Sequence, residues 1–591
     1  MQFLVNIKKL REKITIDENF EVYTLMINFM KNPIAQVDRY LWLYLDAISE
    51  SDILEEIKNI FYSDRTFYRD KIIYGQVVIW EEFLIASQKV DKAKVNISSF
   101  SIPYYENNYL KSTSDIKKIL NIYAEAKSAI TRLENALGVD RYLDLIAQDD
   151  FKLLDHKLND LKSLTDKILL DYKELYISKW NTTNVYEAVR HKLIRKNNEN
   201  QLCTMLKHSQ KRVLLILIDG FGAGQLLWSR KVVPQNSSFT YNENILEWLE
   251  RNHLSEEFVL GSPLISDTAA GLSQIFTGCK SNLTRIFASN LMIDGNWRIQ
   301  STKKLNVNEF MQVADTSNSS ITLEVMSELG ESTIYFCSKY KSNNISGFSN
   351  YIFDSSKVRS ILPPERVFAE LQDELDFKKD WLTVAYITSL DNSGHTMGAF
   401  SQFERYEHEK LNTILKNFLI QLAKEKPEIF DGETSVLITA DHGMTESFKI
   451  NISSKDICEL FESKGIRASL IENNRALFIY GLDKEQTILC KKILGEFFDN
   501  INVNATIYMR GDKLFDEFIP EHNNVFLNTS PTIIVSLVSE GLFYSRNIKE
   551  NLMHFGGHGG TSIDEVFVPL INIELNCKLL KELENRFISL S

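Results

Sequence analysis

Apolar runs alternate with helix-length segments in the chain from residue 211 onward. The clearest run extends from Val213 to Ile218 without a polar break and ends in Asp219-Gly220, which is typical of a strand buried on both faces of a parallel sheet. Such alternation predicts a mostly parallel, doubly wound α/β sheet. The predicted strands are Val213–Ile218, Thr333–Phe336, Leu382–Thr388, Val436–Thr439, Ala476–Tyr480 and Val566–Ile573.

The first 205 residues have a different pattern, with apolar side chains at helical spacing and little glycine. One predicted helix begins at a cap formed by Ser112-Thr113 and ends before Gly138. A second predicted helix runs through Leu161 to Leu175. The pattern therefore predicts an all-α N-terminal region.

These two sequence patterns predict two domains, an all-α domain over residues 1–205 and an α/β domain over residues 206–591. The α/β domain is large, so we expect inserted loops or a small cap, with 281–365 and 445–530 as the candidate insertions. Two interpretations of the helical domain stay open. It packs on itself or on the neighbouring domain, or it forms a docking surface for a protein partner.

The overall composition is that of a globular protein, with 44% hydrophobic and 25% charged residues. A net charge of −12 argues against nucleic-acid binding through a broad basic surface, although a small anionic substrate held by metals fits it. The six cysteines contain no CxxC pair, which favours reduced thiols. No signal sequence and no apolar stretch of about 18 residues is present, so we expect a cytoplasmic protein without membrane contact.

Metal-binding residue types follow three of the predicted strands, and one more lies in the glycine-rich loop before the last strand. Carboxyl ends of parallel strands meet at one sheet edge, and three crowded carboxylates repel by several kcal/mol unless cations neutralise them. A mixed Asp and His set favours Zn²⁺, with Mn²⁺ as the second choice. The candidate ligands are Asp219, Asp391, His395, Asp441, His442 and His558. His554 is the alternative ligand in the last loop.

A nucleophile is expected at Thr268, between two of these ligand strands and at the start of a helical segment. A threonine there can ligate a metal and attack an anion held by backbone N–H groups. The alternative for Thr268 is a simple helix cap.

Five motifs occur in a specific order: D-G at 219–220, D-T at 267–268 followed by T-G at 277–278, D-x-x-G-H at 391–395, D-H-G at 441–443 and H-G-G at 558–560. The set resembles the alkaline phosphatase superfamily over residues 211–575. Within that superfamily it is similar to the type I phosphodiesterase/nucleotide pyrophosphatase branch and to the related PglZ-type bacterial domains.

The resemblance implies two divalent metal ions, Zn²⁺ first, and assigns their ligands. Thr268 would be the nucleophile and would also bind the first metal. In nucleotide pyrophosphatases Phe-Pro-Asn follows this threonine and the asparagine helps hold the phosphate, whereas here Ala269-Ala270-Gly271 follow. We therefore expect a backbone N–H to hold the phosphate, with Gly271 as the candidate. The implied ligand sets are Asp219, Thr268, Asp441 and His442 for one metal, and Asp391, His395 and His558 for the other.

The function implied by the resemblance is hydrolysis of nucleotide or oligonucleotide phosphodiesters, within a phage-defence system if the similarity to PglZ extends to function. One alternative keeps the metals but changes the substrate to a phosphomonoester or a phosphonate. In another alternative the protein is a structural or regulatory subunit of a defence complex, and the helical domain carries its function.

Overall fold

The computed structural model describes most of the chain after residue 84. The described ranges are 85–100, 108–137, 149–194, 210–232, 244–292, 299–301, 332–337, 357–360, 363–447, 451–519, 530–538, 541–544 and 555–588, with the single residues 83, 202, 320, 321, 324, 325, 328, 348, 351 and 352. The helical prediction for residues 1–82 and the alternative ligand His554 lie outside the described residues.

The secondary structure changes from helices to alternating strands and helices at residue 212. The main helices are α1 (Tyr109–Leu137), α2 (Asp149–Ile168), α3 (Leu170–Ser178), α4 (Thr183–Ile194), α5 (Ala223–Val232), α6 (Ile245–Arg251), α7 (Thr268–Thr277), α8 (Ser281–Thr284), α9 (Pro364–Glu374), α10 (Ser389–Met397), α11 (Gln402–Glu425), α12 (Ser454–Glu462), α13 (Lys484–Asn500), α14 (Lys513–Phe518), α15 (Ile563–Val566) and α16 (Cys577–Leu583).

The strands form one large sheet and several smaller ones. They are β1 (Arg212–Ile218), β2 (Ser255–Gly261), β3 (Asn290–Met292), β4 (Ile299–Ser301), β5 (Ser332–Cys337), β6 (Lys357–Ser360), β7 (Trp381–Ile387), β8 (Thr434–Thr439), β9 (Thr445–Glu446), β10 (Asn451–Ser453), β11 (Ser469–Asn473), β12 (Ala476–Tyr480), β13 (Ala505–Met509), β14 (Ile533–Leu537), β15 (Leu542–Tyr544), β16 (Gly556–Gly557) and β17 (Phe567–Leu575).

The large sheet has seven strands in the order β2-β17-β8-β1-β7-β5-β6. Strand β1 is central and pairs in parallel with β7 and β8, whereas β17 runs antiparallel to both of its neighbours, β2 and β8. Ile218 of β1 is opposite Ile387 of β7, so these strands end level and the polar residues after them leave the sheet at one edge. The predicted mostly parallel α/β fold is confirmed.

A second sheet has four antiparallel strands in the order β11-β12-β14-β13, and it contains the run Ala476–Tyr480. The assignment of this run to the parallel sheet is therefore wrong, because an apolar run does not specify its partner strands. Helices α12 and α13 cover this sheet with a core of their own that includes Phe461, Leu494 and Val535. The predicted insertion at 445–530 contains most of this layer, whereas the described part of 281–365 gives β5 and β6 to the large sheet.

The helices before residue 205 differ from the prediction at most of their ends: the second predicted helix, through Leu161 to Leu175, is divided between α2 and α3. Helix α1 begins at Tyr109, so Ser112-Thr113 lie inside it and do not cap it; the Ser112 hydroxyl donates to the Tyr109 carbonyl at 2.9 Å. Its end at Leu137 agrees with the prediction. Among the described residues, no helix combines the length and the apolar character that crossing a bilayer needs.

The chain divides into two compact units, Met1–Ser99 with Glu125–Leu161, and Phe100–Ala124 with Lys162–Ser591. In the second unit, a buried ion pair and a hydrogen bond join residues 162–173 to the segment before β17. Lys162 Nζ lies 2.9 Å from Asp564 Oδ2, with side chains 6% and 1% exposed, and Lys173 Nζ donates to Asp166 and to the Thr561 carbonyl at 2.9 Å. The C-terminal part of the predicted helical domain therefore packs as part of the α/β unit.

We expect Lys162→Ala to lower the free energy of unfolding of this unit by about 3–5 kcal/mol, because it leaves the Asp564 carboxylate buried without its cation. Urea denaturation followed by circular dichroism measures the change. The matched control is Lys491→Ala, whose ion pair with Asp512 is 39% exposed on both sides and contributes below about 1 kcal/mol. Equal losses in the two variants would contradict the argument.

Candidate metal centre

Six of the predicted residues form two groups in which the possible ligand atoms lie within 4.8 Å of one another. Apart from Thr268, they have the same members as the two ligand sets that the sequence resemblance implies. One group follows strands β1 and β8, and the other combines helix α10 after β7 with the loop before β17. The groups are Asp219, Asp441 and His442, and Asp391, His395 and His558.

The first group is buried, and Thr268 lies beside it. His442 Nε2 is 3.4 Å from Asp219 Oδ1 and 3.7 Å from Asp441 Oδ2. Thr268 Oγ1 is 3.1 Å from the same His442 nitrogen. Thr268 is the first residue of α7, and the helix cap is Asp267, whose carboxylate accepts from the Ala269 N–H at 2.9 Å. The capping role considered for Thr268 is therefore filled by its neighbour.

The second group depends on helical spacing. Asp391 and His395 are four residues apart on α10, so they face the same side, with His395 Nε2 3.4 Å from Asp391 Oδ1. His558 Nε2 approaches the same oxygen at 3.6 Å. The His558 ring also stacks on the His442 ring at a centroid distance of 3.8 Å. The two groups are thus in direct contact through His558.

A backbone carbonyl faces the Nδ1 atom of each of the three histidines. A carbonyl only accepts hydrogen bonds, so Nδ1 carries the proton in the neutral ring and the Nε2 lone pair points into the group. Metal-binding histidines are oriented in this way. The contacts are His395 Nδ1 to Gly556 O at 3.0 Å, His442 Nδ1 to Gly443 O at 3.0 Å and His558 Nδ1 to Ser266 O at 2.8 Å.

The carboxylates of the first group are poorly compensated by the protein itself. Asp219 Oδ1 and Asp441 Oδ2 are buried and accept no hydrogen bond from the part of the chain that the structure describes. Burial, followed by the charges of Asp219 and Asp391, raises the pKa of Asp441 well above its usual value. Divalent cations would relieve this cost, and the mixed oxygen and imidazole donors suit Zn²⁺. The residues therefore fit metal ions at this edge of the sheet.

Tyr386 on β7 was not found from the sequence, although its hydroxyl donates a hydrogen bond to Asp219 Oδ2. Burial and then the Asp219 charge raise the Tyr386 pKa well above its usual value, so the hydroxyl stays protonated as a donor. A tyrosine within an apolar run is ordinary strand composition, so a single sequence carries no signal for this contact.

Gly271 lies one turn into α7, where its N–H donates to the Asp267 carbonyl at 2.8 Å. A Cβ at this position would lie 2.6 Å from the Asp441 carbonyl oxygen. The glycine therefore lets α7 pack against the turn that carries Asp441. Substrate binding by Gly271 stays a prediction, and its N–H is already used within the helix.

No protein-family model matches the chain, and no curated protein matches it. Among solved structures, the murine ectonucleotide pyrophosphatase/phosphodiesterase 5, as an inactive form in complex with AMP, is 16% identical over 61% of this chain and 87% of that chain, with a TM-score of 0.41. The human protein of the same name is 15% identical over the same shares, with a TM-score of 0.40. Phosphonoacetate hydrolase from Sinorhizobium meliloti, in complex with phosphonoformate, is 14% identical over 64% of this chain and 94% of that chain, with a TM-score of 0.44.

Proposed function

We propose that the protein is a two-metal hydrolase of phosphoric esters, related to the alkaline phosphatase superfamily, with Thr268 as its nucleophile. The observation that supports this most is the position of Thr268 Oγ1, 3.1 Å from His442 Nε2 and thus beside the first ligand group. Asp219, Asp441 and His442 would hold one ion together with Thr268. The group of Asp391, His395 and His558 would hold the other.

Bound metal ions would supply positive charge to the phosphoryl group and to the attacking and leaving oxygens. The chain itself would provide the nucleophile and its orientation. Thr268 starts a helix of ten residues, so the positive end of the α7 dipole favours an anion next to its hydroxyl. Thr268 Oγ1 would form the new bond to phosphorus as the ester oxygen leaves, and water would then hydrolyse the phosphorylated threonine.

Phosphodiesters of nucleotides or oligonucleotides are the substrates that we propose, with Zn²⁺ as the metal. The test is metal analysis of protein purified without chelator, followed by rates on bis(p-nitrophenyl) phosphate and p-nitrophenyl phosphate. We expect about two metals per chain and faster cleavage of the bis-ester. Faster cleavage of the monoester would favour the phosphomonoesterase alternative. Two bound metals with no cleavage of phosphodiesters, monoesters or phosphonates would contradict the hydrolase.

Three further predictions concern the cell and the N-terminal residues rather than the site. They are a protein partner for residues 1–205, a cytoplasmic location and a role in phage defence, all taken from the sequence. Co-purification of the full chain with products of neighbouring genes tests the partner and the defence role. Assembly that is lost in Thr268→Ala while hydrolysis is unchanged would favour the regulatory-subunit alternative.

A further inference from the structure

Ser266 contacts the His558 loop through both its backbone and its side chain, although it lies only two residues before Thr268. Its carbonyl accepts from His558 Nδ1 at 2.8 Å. Its hydroxyl accepts from the Gly559 N–H and donates to the Gly560 carbonyl, both at 2.9 Å. One buried serine thus joins the start of the helix that carries the nucleophile to the loop that carries a ligand of the second group.

A fully buried ion pair fixes the other side of the same loop. Arg475 Nε donates to Glu565 Oε1 at 2.9 Å, and both side chains are 0% exposed. Glu565 Oε1 also accepts from the Gly560 N–H at 2.7 Å and lies 3.4 Å from the Ser266 hydroxyl. Buried charges persist only when their hydrogen bonds are filled, as they are here, and the loop backbone is one of the partners.

The hairpin between β11 and β12, which belongs to the second sheet, also contacts the His558 loop. Gly559 has a φ of +104°, and a Cβ there would lie 2.9 Å from the Asn473 carbonyl oxygen. The Asn473 side chain in turn donates to Asp267, the cap of α7, at 3.3 Å. The second sheet therefore contacts both the nucleophile helix and the His558 loop.

We infer that Ser266 is a positioning residue which, with the Arg475–Glu565 pair, sets the His558 imidazole against Asp391 before any metal binds. This inference rests on the proposed two-metal function. The contacts of Ser266 reach the second group through His558. Three of the four proposed ligands of the first ion, Asp219, Asp441 and His442, instead follow strands β1 and β8. Loss of the Ser266 hydroxyl should therefore weaken the second metal selectively.

The experiment compares Ser266→Ala with Ser262→Ala in the full chain. Ser262 is the matched control because it is also buried and, among the described residues, its hydroxyl donates a hydrogen bond only to the adjacent Pro263 carbonyl, at 3.2 Å. Metal-free protein is titrated with Zn²⁺ in a calorimeter. For Ser266→Ala we expect second-site affinity to fall by about 10- to 100-fold with the first site changed less than about twofold. Ser262→Ala should resemble the wild type at both sites.

Hydrogen–deuterium exchange of the metal-free proteins provides the independent measurement. We expect amides in residues 555–566 to exchange at least about tenfold faster in Ser266→Ala, and at the wild-type rate in Ser262→Ala. Unchanged exchange would overturn the inference, as would equal weakening of both metals. If the wild type binds fewer than two Zn²⁺ ions, the proposed function fails, and the exchange rates alone then decide the role of Ser266.

Discussion

Replacing Thr268 with valine should lower kcat by about 10³-fold or more while both metal ions remain bound. Valine keeps the branched shape of threonine and removes only the hydroxyl that lies 3.1 Å from His442 Nε2. The remaining ligands of the first group, Asp219, Asp441 and His442, are unchanged. Hydrolysis of bis(p-nitrophenyl) phosphate under saturating conditions, together with metal analysis of the same samples, measures both parts of this prediction.

The matched control is Thr277→Val, at the last position of the same helix. Thr277 is also buried, and its hydroxyl donates to the Ser273 carbonyl at 2.7 Å, away from the ligand groups. We expect the kcat of Thr277→Val to stay within about twofold of the wild type, because the surroundings of the Thr268 hydroxyl are unchanged. Thr268→Ser, which keeps a hydroxyl, should recover a large part of the rate. A Thr268→Val enzyme with more than a tenth of the wild-type kcat would show that the threonine is not the nucleophile.

The sequence was sufficient for five strands of the large sheet, β1, β5, β7, β8 and β17, and for the positions of the polar residues at its edge, because both depend on local patterns. A buried strand is visible as an apolar run, and a ligand such as Asp219 follows it directly in the chain. The level ends of β1 and β7 then follow from parallel pairing. Helical spacing likewise brings Asp391 and His395 to one side of α10.

Contacts between distant parts of the chain could not be read in this way. Ser266 and His558 are separated by 292 positions, and Tyr386 and Asp219 by 167, yet each pair is hydrogen-bonded. Neither serine nor tyrosine is unusual at its position, and the pairing appears only once the chain is folded. The run Ala476–Tyr480 shows the same limit, since its composition identifies a strand but not the sheet to which it belongs.

Changing Asp441 to asparagine should alter stability in opposite directions with and without metal. In protein freed of metal by a chelator, the Asp441 carboxyl group is buried beside Asp219 and Asp391, and one of its oxygens accepts no hydrogen bond from any described residue. Asparagine carries no charge that folding must bury or neutralise by taking up a proton, so the free energy of unfolding should rise by about 1–3 kcal/mol. In Zn²⁺-loaded protein the same change removes an anionic ligand, so bound metal should fall from about two ions to one and the free energy of unfolding should fall with it. The kcat should fall by about 10³-fold or more.

The control for Asp441→Asn is Asp166→Asn. Asp166 is also buried and also has one oxygen that accepts no hydrogen bond from the described residues, but its other oxygen accepts from the cationic Lys173 Nζ at 2.9 Å. Neutralising Asp166 leaves that lysine buried without its anion and should destabilise the protein whether or not metal is present. Urea denaturation of both variants, with EDTA and with Zn²⁺, gives the four changes in the free energy of unfolding to compare. A change of the same sign for Asp441→Asn in both conditions would mean that no cation compensates the crowded carboxylates. Opposite signs for Asp441→Asn, with one sign for Asp166→Asn, would identify charge crowding as the reason why this sheet edge requires metal.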